Sequence, residues 1–128
     1  MTITFNHTIV AAKDKAASAT FFTDLFGLPP AKPFGQFLAV GLEHGVSLDF
    51  ADRGDADIRP QHYAFLVSEA DFDAIYGRIR DRGLEHWADP RLSRPGEINH
   101  NDGGRGVYFC DPAGHFLEII TRPYGSGS

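Results

Sequence analysis

Two stretches of the chain have the short length and apolar content of β-strands, and a helical pattern follows each of them. The predicted strands cover residues 6–10 and 61–67. After the first strand, apolar residues recur at helical spacing, namely Ala19, Phe22, Leu25 and Phe26. After the second they fall at positions i, i+3, i+4 and i+7, namely Phe72, Ile75, Tyr76 and Ile79. Gly27 and Gly83 are the predicted ends of the two helices.

Each predicted helix is followed by further short strands that are joined by turn residues. Residues 37–40 and 46–50 flank a Glu-His-Gly turn, and residues 107–109 and 116–120 flank an Asp-Pro-Ala-Gly turn. The closing strands are alike, with GVSLDF at 45–50 matching GHFLEI at 114–119. The chain therefore contains the same βαβββ pattern twice.

These patterns predict an α+β fold in which two βαβββ modules form a curved mixed sheet. Module one covers residues 1–51, a polar linker covers 52–60, and module two covers 61–122. One module is too small to bury its sheet alone, so we expect both modules to form a single domain over residues 1–122. The Gly- and Ser-rich residues 123–128 are predicted to be a flexible tail.

Composition limits the classes of function. The 128 residues carry a net charge of -5 and contain no run of Lys or Arg, so nucleic-acid binding is not expected. We find no apolar stretch of membrane-spanning length and no signal peptide, so the expected location is the cytoplasm, without membrane contact. Cys110 is the only cysteine, and it is expected to be a buried and unreactive thiol.

The repeat places four polar residues at equivalent points of the two modules. His7 and His62 open their modules, and Asp49 and Glu118 lie in the closing strands. Two imidazoles and one carboxylate form a donor set that binds divalent metals and leaves coordination positions open. We predict a metal site of His7, His62 and Glu118, with Asp49 either a further ligand or a hydrogen-bonding partner. The alternative is a set of scattered polar residues without a metal.

With these residues identified, the chain resembles the vicinal-oxygen-chelate superfamily over about residues 5 to 122. That superfamily includes glyoxalase I, extradiol dioxygenases, fosfomycin-modifying enzymes and bleomycin-binding proteins. The resemblance rests on the paired modules, the two strand-opening histidines and the motif Asp-Pro-x-Gly-x-x-x-Glu that ends at Glu118. The segment from Ile98 to Glu118 is also similar to the signature of extradiol dioxygenases.

The resemblance implies roles for individual residues. Glu118 would be the carboxylate ligand, Tyr108 would hydrogen-bond a substrate oxygen near the metal, and His100 would lie just outside the ligands. Both Tyr108 and His100 would be catalytic, because a phenol and an imidazole beside a metal can transfer protons and stabilise developing negative charge. The alternatives are core packing for Tyr108 and simple solvent exposure for His100. Trp87 and Phe37 are candidate walls of the substrate pocket, with core packing as their alternative.

The resemblance also implies an assembly. It predicts a homodimer in which each site takes His7 from one chain and His62 with Glu118 from the other. A twofold dimer is also the commonest symmetric assembly.

Two functions remain open from the sequence. The first is a metal-dependent enzyme that acts on a small, oxygen-chelating substrate. Its chemistry would be extradiol-dioxygenase-like with Fe2+ or Mn2+, or glyoxalase-like with Zn2+ or Ni2+. The second is a protein that sequesters a small molecule such as an antibiotic without catalysis, which an aromatic content of 12% permits.

Overall fold

The computed structural model describes residues 1–54 and 56–127. Asp55, in the predicted linker, and Ser128, in the predicted tail, lie outside the described residues. The chain divides into two compact units, Met1–Arg59 and Pro60–Ser128. None of the described helices is long and apolar enough to cross a membrane.

The first unit contains a four-stranded mixed sheet and one helix. Its elements are β1 (His7–Ala12), α1 (Lys15–Phe26), β2 (Lys32–Phe34), β3 (Phe37–Gly41) and β4 (Ser47–Asp52). The strand order is β1-β4-β3-β2, in which only the pairing of β1 with β4 is parallel. Asp14 caps the start of α1 by accepting two backbone N–H bonds, and Gly27 ends the helix in the left-handed conformation, as predicted.

The second unit repeats this arrangement. Its elements are β5 (His62–Leu66), α2 (Glu69–Asp81), β6 (His86–Trp87), β7 (Gly106–Cys110) and β8 (Phe116–Ile120). The strand order is β5-β8-β7-β6, and only the pairing of β5 with β8 is parallel. The Ser68 hydroxyl caps α2 by accepting from the Asp71 N–H. The buried core of this second unit includes Phe72, Ile75, Ile79, Phe109 and Ile119.

The α+β class and the repeated βαβββ order are thus confirmed, with one four-stranded sheet in each unit. The sequence pattern did not locate β2 and β6, which are three and two residues long. Both strands lie at the edge of their sheet. Two or three residues are too few to show the alternation of apolar and polar positions that predicts a strand. The bounds of the single domain and of the tail stay predictions.

Candidate metal centre

Glu118 lies in the middle of the second sheet because β8 is flanked by β5 and β7. In the strand register Glu118 is opposite Ala64 on one side and Tyr108 on the other, and Tyr108 is opposite Trp87. Directly opposite residues share a face of a sheet, and so do residues two apart on one strand. The side chains of Glu118, Tyr108, Trp87 and His62 therefore lie on the same face.

The turn between β7 and β8 supports this register. Asp111 accepts backbone N–H bonds from Ala113 and His115 at 3.0 and 2.8 Å, and Gly114 has a φ of 91°, which favours glycine. The buried His115 accepts the Gln61 N–H through Nδ1 at 3.0 Å, which ties the turn to the start of β5. The Asp-Pro-x-Gly part of the sequence motif thus acts structurally, by placing the strand that carries Glu118.

His62 and Glu118 are in direct contact. The His62 Nε2 atom lies 2.9 Å from Glu118 Oε1. The Glu118 side chain is 0% exposed, whereas the His62 side chain is 46% exposed. A buried carboxylate therefore faces an imidazole that solvent can reach.

The second carboxylate oxygen of Glu118 has a partner that sequence reasoning missed. The Tyr124 hydroxyl donates to Glu118 Oε2. Tyr124 lies in the segment predicted as a tail, so no helix or strand pattern pointed to it. The only available signal was an aromatic residue placed after Pro123 and six positions beyond the candidate ligand Glu118.

Tyr108 extends this contact. Its hydroxyl oxygen lies 2.9 Å from the Tyr124 hydroxyl oxygen. A phenol has one proton to donate, and the proton of Tyr124 is directed at Glu118, so Tyr108 donates to Tyr124. The three side chains form a hydrogen-bonded chain that runs from Tyr108 through Tyr124 to the carboxylate.

Both phenols stay protonated around neutral pH. Burial is the largest cause that raises the pKa of Tyr108, and the Tyr124 hydrogen bond, the Glu118 charge and a hydrogen bond to Glu118 raise it further. Burial likewise raises the pKa of Tyr124, as does its hydrogen bond to Glu118, while the bond from Tyr108 acts in the opposite direction. Neutral phenols donate hydrogen bonds, so Tyr124 can donate to the carboxylate and Tyr108 can donate to Tyr124 without adding charge to the site.

The chemistry of the His62–Glu118 pair fits a divalent metal ion. Imidazole nitrogen and carboxylate oxygen are ordinary ligands, each about 2.0–2.2 Å from a bound ion. Two atoms 2.9 Å apart can both lie at such distances from one ion. Among residues 1–54 and 56–127, however, no three His, Cys, Asp or Glu side chains form a cluster that could hold a metal.

His7 and Asp49 occupy the corresponding register in the first unit. His7 is opposite Ser47, and Asp49 lies two residues further along β4. The exposed His7 places Nδ1 2.6 Å from Asn6 Oδ1, and the buried Asp49 accepts from the Ser47 hydroxyl at 2.6 Å. In the described part of the chain no hydrogen bond or ion pair joins His7 to Asp49. Their roles as metal ligands stay predictions.

The other candidate residues lie in separate places. His100 is exposed and precedes a short 3-10 helix, Asn101–Gly103. Trp87 is half-buried and lines a depression of about 420 Å³ in the second unit. Phe37 is also half-buried and lines a depression of about 390 Å³ in the first unit. The catalytic role of His100 and the pocket roles of Trp87 and Phe37 stay predictions.

Comparison with known proteins identifies the class. Residues 4–119 match the family model described as the Glyoxalase/Bleomycin resistance protein/Dioxygenase superfamily. The chain therefore belongs to this superfamily, the vicinal-oxygen-chelate superfamily that the sequence resembled. Membership implies a divalent metal.

The chain is also similar to individual proteins over most of its length. The solved structure of Oxidase ChaP-H2 is 63% identical, with a TM-score of 0.95 and coverage of 100% of both chains. That of Oxidase ChaP-H1 is 61% identical, with a TM-score of 0.93 and coverage of 97% of this chain and 99% of that chain. Glutathione transferase FosA of Serratia marcescens is 31% identical over 121 residues, which are 89% of this chain and 77% of that protein.

Proposed function

We propose that the protein is a metal-dependent oxidative enzyme whose small substrate chelates the ion through two neighbouring oxygens. The observation that carries this proposal is the contact of His62 with the buried Glu118, with the Tyr108 phenol beside it on the same sheet face. The identity of 63% with a protein named an oxidase supports oxidative chemistry over glyoxalase-like isomerisation. The proposal therefore favours Fe2+ or Mn2+ over Zn2+ or Ni2+.

The roles of the residues follow from their atoms. His62 Nε2 and Glu118 Oε1 would hold the ion, which supplies Lewis acidity toward the substrate oxygens and a route for electrons to dioxygen. Because the Tyr108 proton is engaged by Tyr124, the Tyr108 oxygen is left to accept a hydrogen bond from a substrate hydroxyl. Trp87, opposite Tyr108 in the sheet, offers an apolar surface to an aromatic substrate.

An oxygen-uptake assay tests the proposal. Metal-free protein would be loaded without air with Fe2+, Mn2+, Zn2+ or Ni2+ and then given catechols and hydroquinones in aerated buffer. We expect dioxygen uptake with Fe2+ or Mn2+ only, and none in His62→Ala. Isotopically labelled dioxygen separates incorporation into the product, as in ring cleavage, from release as hydrogen peroxide or water.

Three other results would each contradict this function. Turnover of hemithioacetals with Zn2+ or Ni2+, without dioxygen, would indicate the glyoxalase-like reaction. Tight binding of an aromatic antibiotic by metal-free protein, without turnover, would indicate sequestration. A protein that neither consumes dioxygen nor binds any of the four ions would not be a metal enzyme of this kind.

We also retain the predicted homodimer with His7 as a third ligand, a prediction that rests on the sequence repeat and the family resemblance. The variants His7→Ala and Glu118→Ala test it when they are dissociated and mixed. If each site takes His7 and Glu118 from different chains, the mixed dimer regains one intact site and half of the metal binding of the parent.

The alternative arrangements give different results in the same experiment. Ligands taken from one chain leave both sites of the mixed dimer broken, so no metal binding returns. Tight metal binding by His7→Ala alone would exclude His7 as a ligand. A mixture of the parent with Glu118→Ala controls for loss of protein during dissociation and reassociation.

A further inference from the structure

The segment after β8 is tied to the loop that precedes β7. The Thr121 N–H donates to the Arg105 carbonyl at 3.0 Å, and the Thr121 hydroxyl accepts from the Arg105 N–H at 2.8 Å. Further on, the Gly127 N–H donates to Asp102 Oδ1 at 3.3 Å. Residues 121–127 are therefore held at both ends against the same loop.

Close packing and a turn complete this attachment. A β-carbon at Gly104 would lie 2.4 Å from the Thr121 hydroxyl and 2.8 Å from Arg122 Cγ, so only glycine allows the segment to approach the loop so closely. The Ser126 N–H donates to the Pro123 carbonyl at 3.1 Å, and the Arg122 guanidinium donates to the Ser126 carbonyl at 3.2 Å. Tyr124 thus lies in a hydrogen-bonded turn.

Burial of the ring does not explain where Tyr124 lies. The residue is 58% exposed, yet its hydroxyl reaches Glu118, which is 0% exposed. The polar end of the side chain is therefore the part with a defined partner. That partner is one of the two residues that we expect to hold the metal.

We propose that Tyr124 is a positioning residue of the metal centre, an inference that rests on the proposed function. By donating to Oε2 of Glu118, Tyr124 leaves Oε1 as the one carboxylate oxygen that faces His62. Glu118 would then hold the ion through a single oxygen, and a coordination position would be left for an oxygen of the substrate.

Tyr124 also orients Tyr108. Because the Tyr124 proton is directed at Glu118, the Tyr124 oxygen is left to accept the Tyr108 proton. Without the Tyr124 hydroxyl, Tyr108 would lose this acceptor, and its proton would be left to Glu118 or to the substrate. Tyr124 acts on the reaction through two other residues and does not itself need to contact substrate.

The variant Tyr124→Phe tests this proposal because it removes only the hydroxyl of an exposed ring. The control is Tyr76→Phe, which removes a hydroxyl that lies 3.2 Å from His86 Nε2 and makes no described contact with Glu118. Two quantities are measured, namely the Mn2+ dissociation constant by electron paramagnetic resonance and the carboxyl carbon resonance of Glu118 in metal-free protein labelled with 13C-glutamate. The Glu118 resonance is the one that disappears in Glu118→Gln.

We expect Tyr124→Phe to shift the Glu118 resonance and to raise the Mn2+ dissociation constant about 10- to 100-fold, as loss of a residue that supports a metal ligand does. Tyr76→Phe should change neither quantity. An unshifted resonance, or a dissociation constant within about twofold of the parent, would overturn the proposal. A parent that binds no metal would instead overturn the proposed function, and the resonance would still decide whether Tyr124 holds Glu118.

Discussion

Replacing Glu118 with glutamine is expected to abolish tight binding of divalent metal while the protein remains folded. The amide group that replaces the carboxylate has no negative charge, so the metal loses its carboxylate ligand. The loss of affinity should therefore exceed the roughly 10- to 100-fold that removal of a supporting residue causes. Metal content after dialysis against Mn2+, measured by elemental mass spectrometry, checks this expectation.

The fold should tolerate this change for three reasons. Glutamine has the shape of glutamate, and its carbonyl oxygen can still accept from Tyr124. The side chain is 0% exposed, and removal of a buried charge relieves a desolvation cost that opposes folding. His62 is 46% exposed, so water can hydrate the imidazole that loses its partner. The melting temperature of metal-free Glu118→Gln should not fall below that of the parent.

Glu97→Gln is the matched control for this variant. Glu97 lies in an exposed ion pair with Arg94 at 3.0 Å, and such surface pairs contribute little to stability. This control should keep both metal content and melting temperature. A Glu118→Gln protein that retains as much metal as the parent would exclude Glu118 as a ligand, whatever its stability.

The largest expected effect on stability is that of Phe109→Ala. Phe109 is fully buried and lies in β7, between β8 and β6 of the second sheet. Truncation of a buried phenylalanine costs about 3–5 kcal/mol, because it removes apolar burial and leaves a cavity. The free energy of unfolding, measured by urea denaturation of metal-free protein, should fall by about this amount.

Two further variants make this prediction decisive. Phe34→Ala removes a ring that is 67% exposed in an edge strand, so it should leave the free energy of unfolding nearly unchanged. Ile119→Val removes one methyl group from a fully buried position and should cost about 0.5–1.5 kcal/mol. If Phe109→Ala does not fold, Ile119→Val still gives a free energy of unfolding that tests the packing of this core. Equal stability of Phe109→Ala and Phe34→Ala would contradict the packing of this core.

The repeat could be read from the sequence because it depends on local patterns. Apolar residues two helical turns apart, such as Phe72 and Ile79, must share a face of α2 wherever that helix packs. Turn residues such as Asp111 and Gly114 restrict the backbone through their own chemistry. The edge strands β2 and β6 were not predicted, because three and two residues are too few to show a strand pattern.

The two modules also diverge in a way that their sequence similarity hides. Asp49 and Glu118 match in the repeat, and both are buried. Glu118 contacts His62, however, whereas Asp49 is bonded to the hydroxyl of Ser47. The residue that corresponds to Ser47 is Phe116, which offers no such hydroxyl to Glu118. A neighbour two positions away thus changes the partner of the carboxylate.

The sequence by itself determined the α+β class, the two βαβββ units and the superfamily, and it predicted His62 and Glu118 as metal ligands. Periodicity, turn chemistry and motif spacing are properties of short segments, and they persist in the folded chain. Only the tertiary structure decided that the Tyr124 hydroxyl contacts both Glu118 and Tyr108. That contact depends on how residues 121–127 pack against a loop some 20 positions earlier in the chain, and no local pattern encodes such a long-range contact.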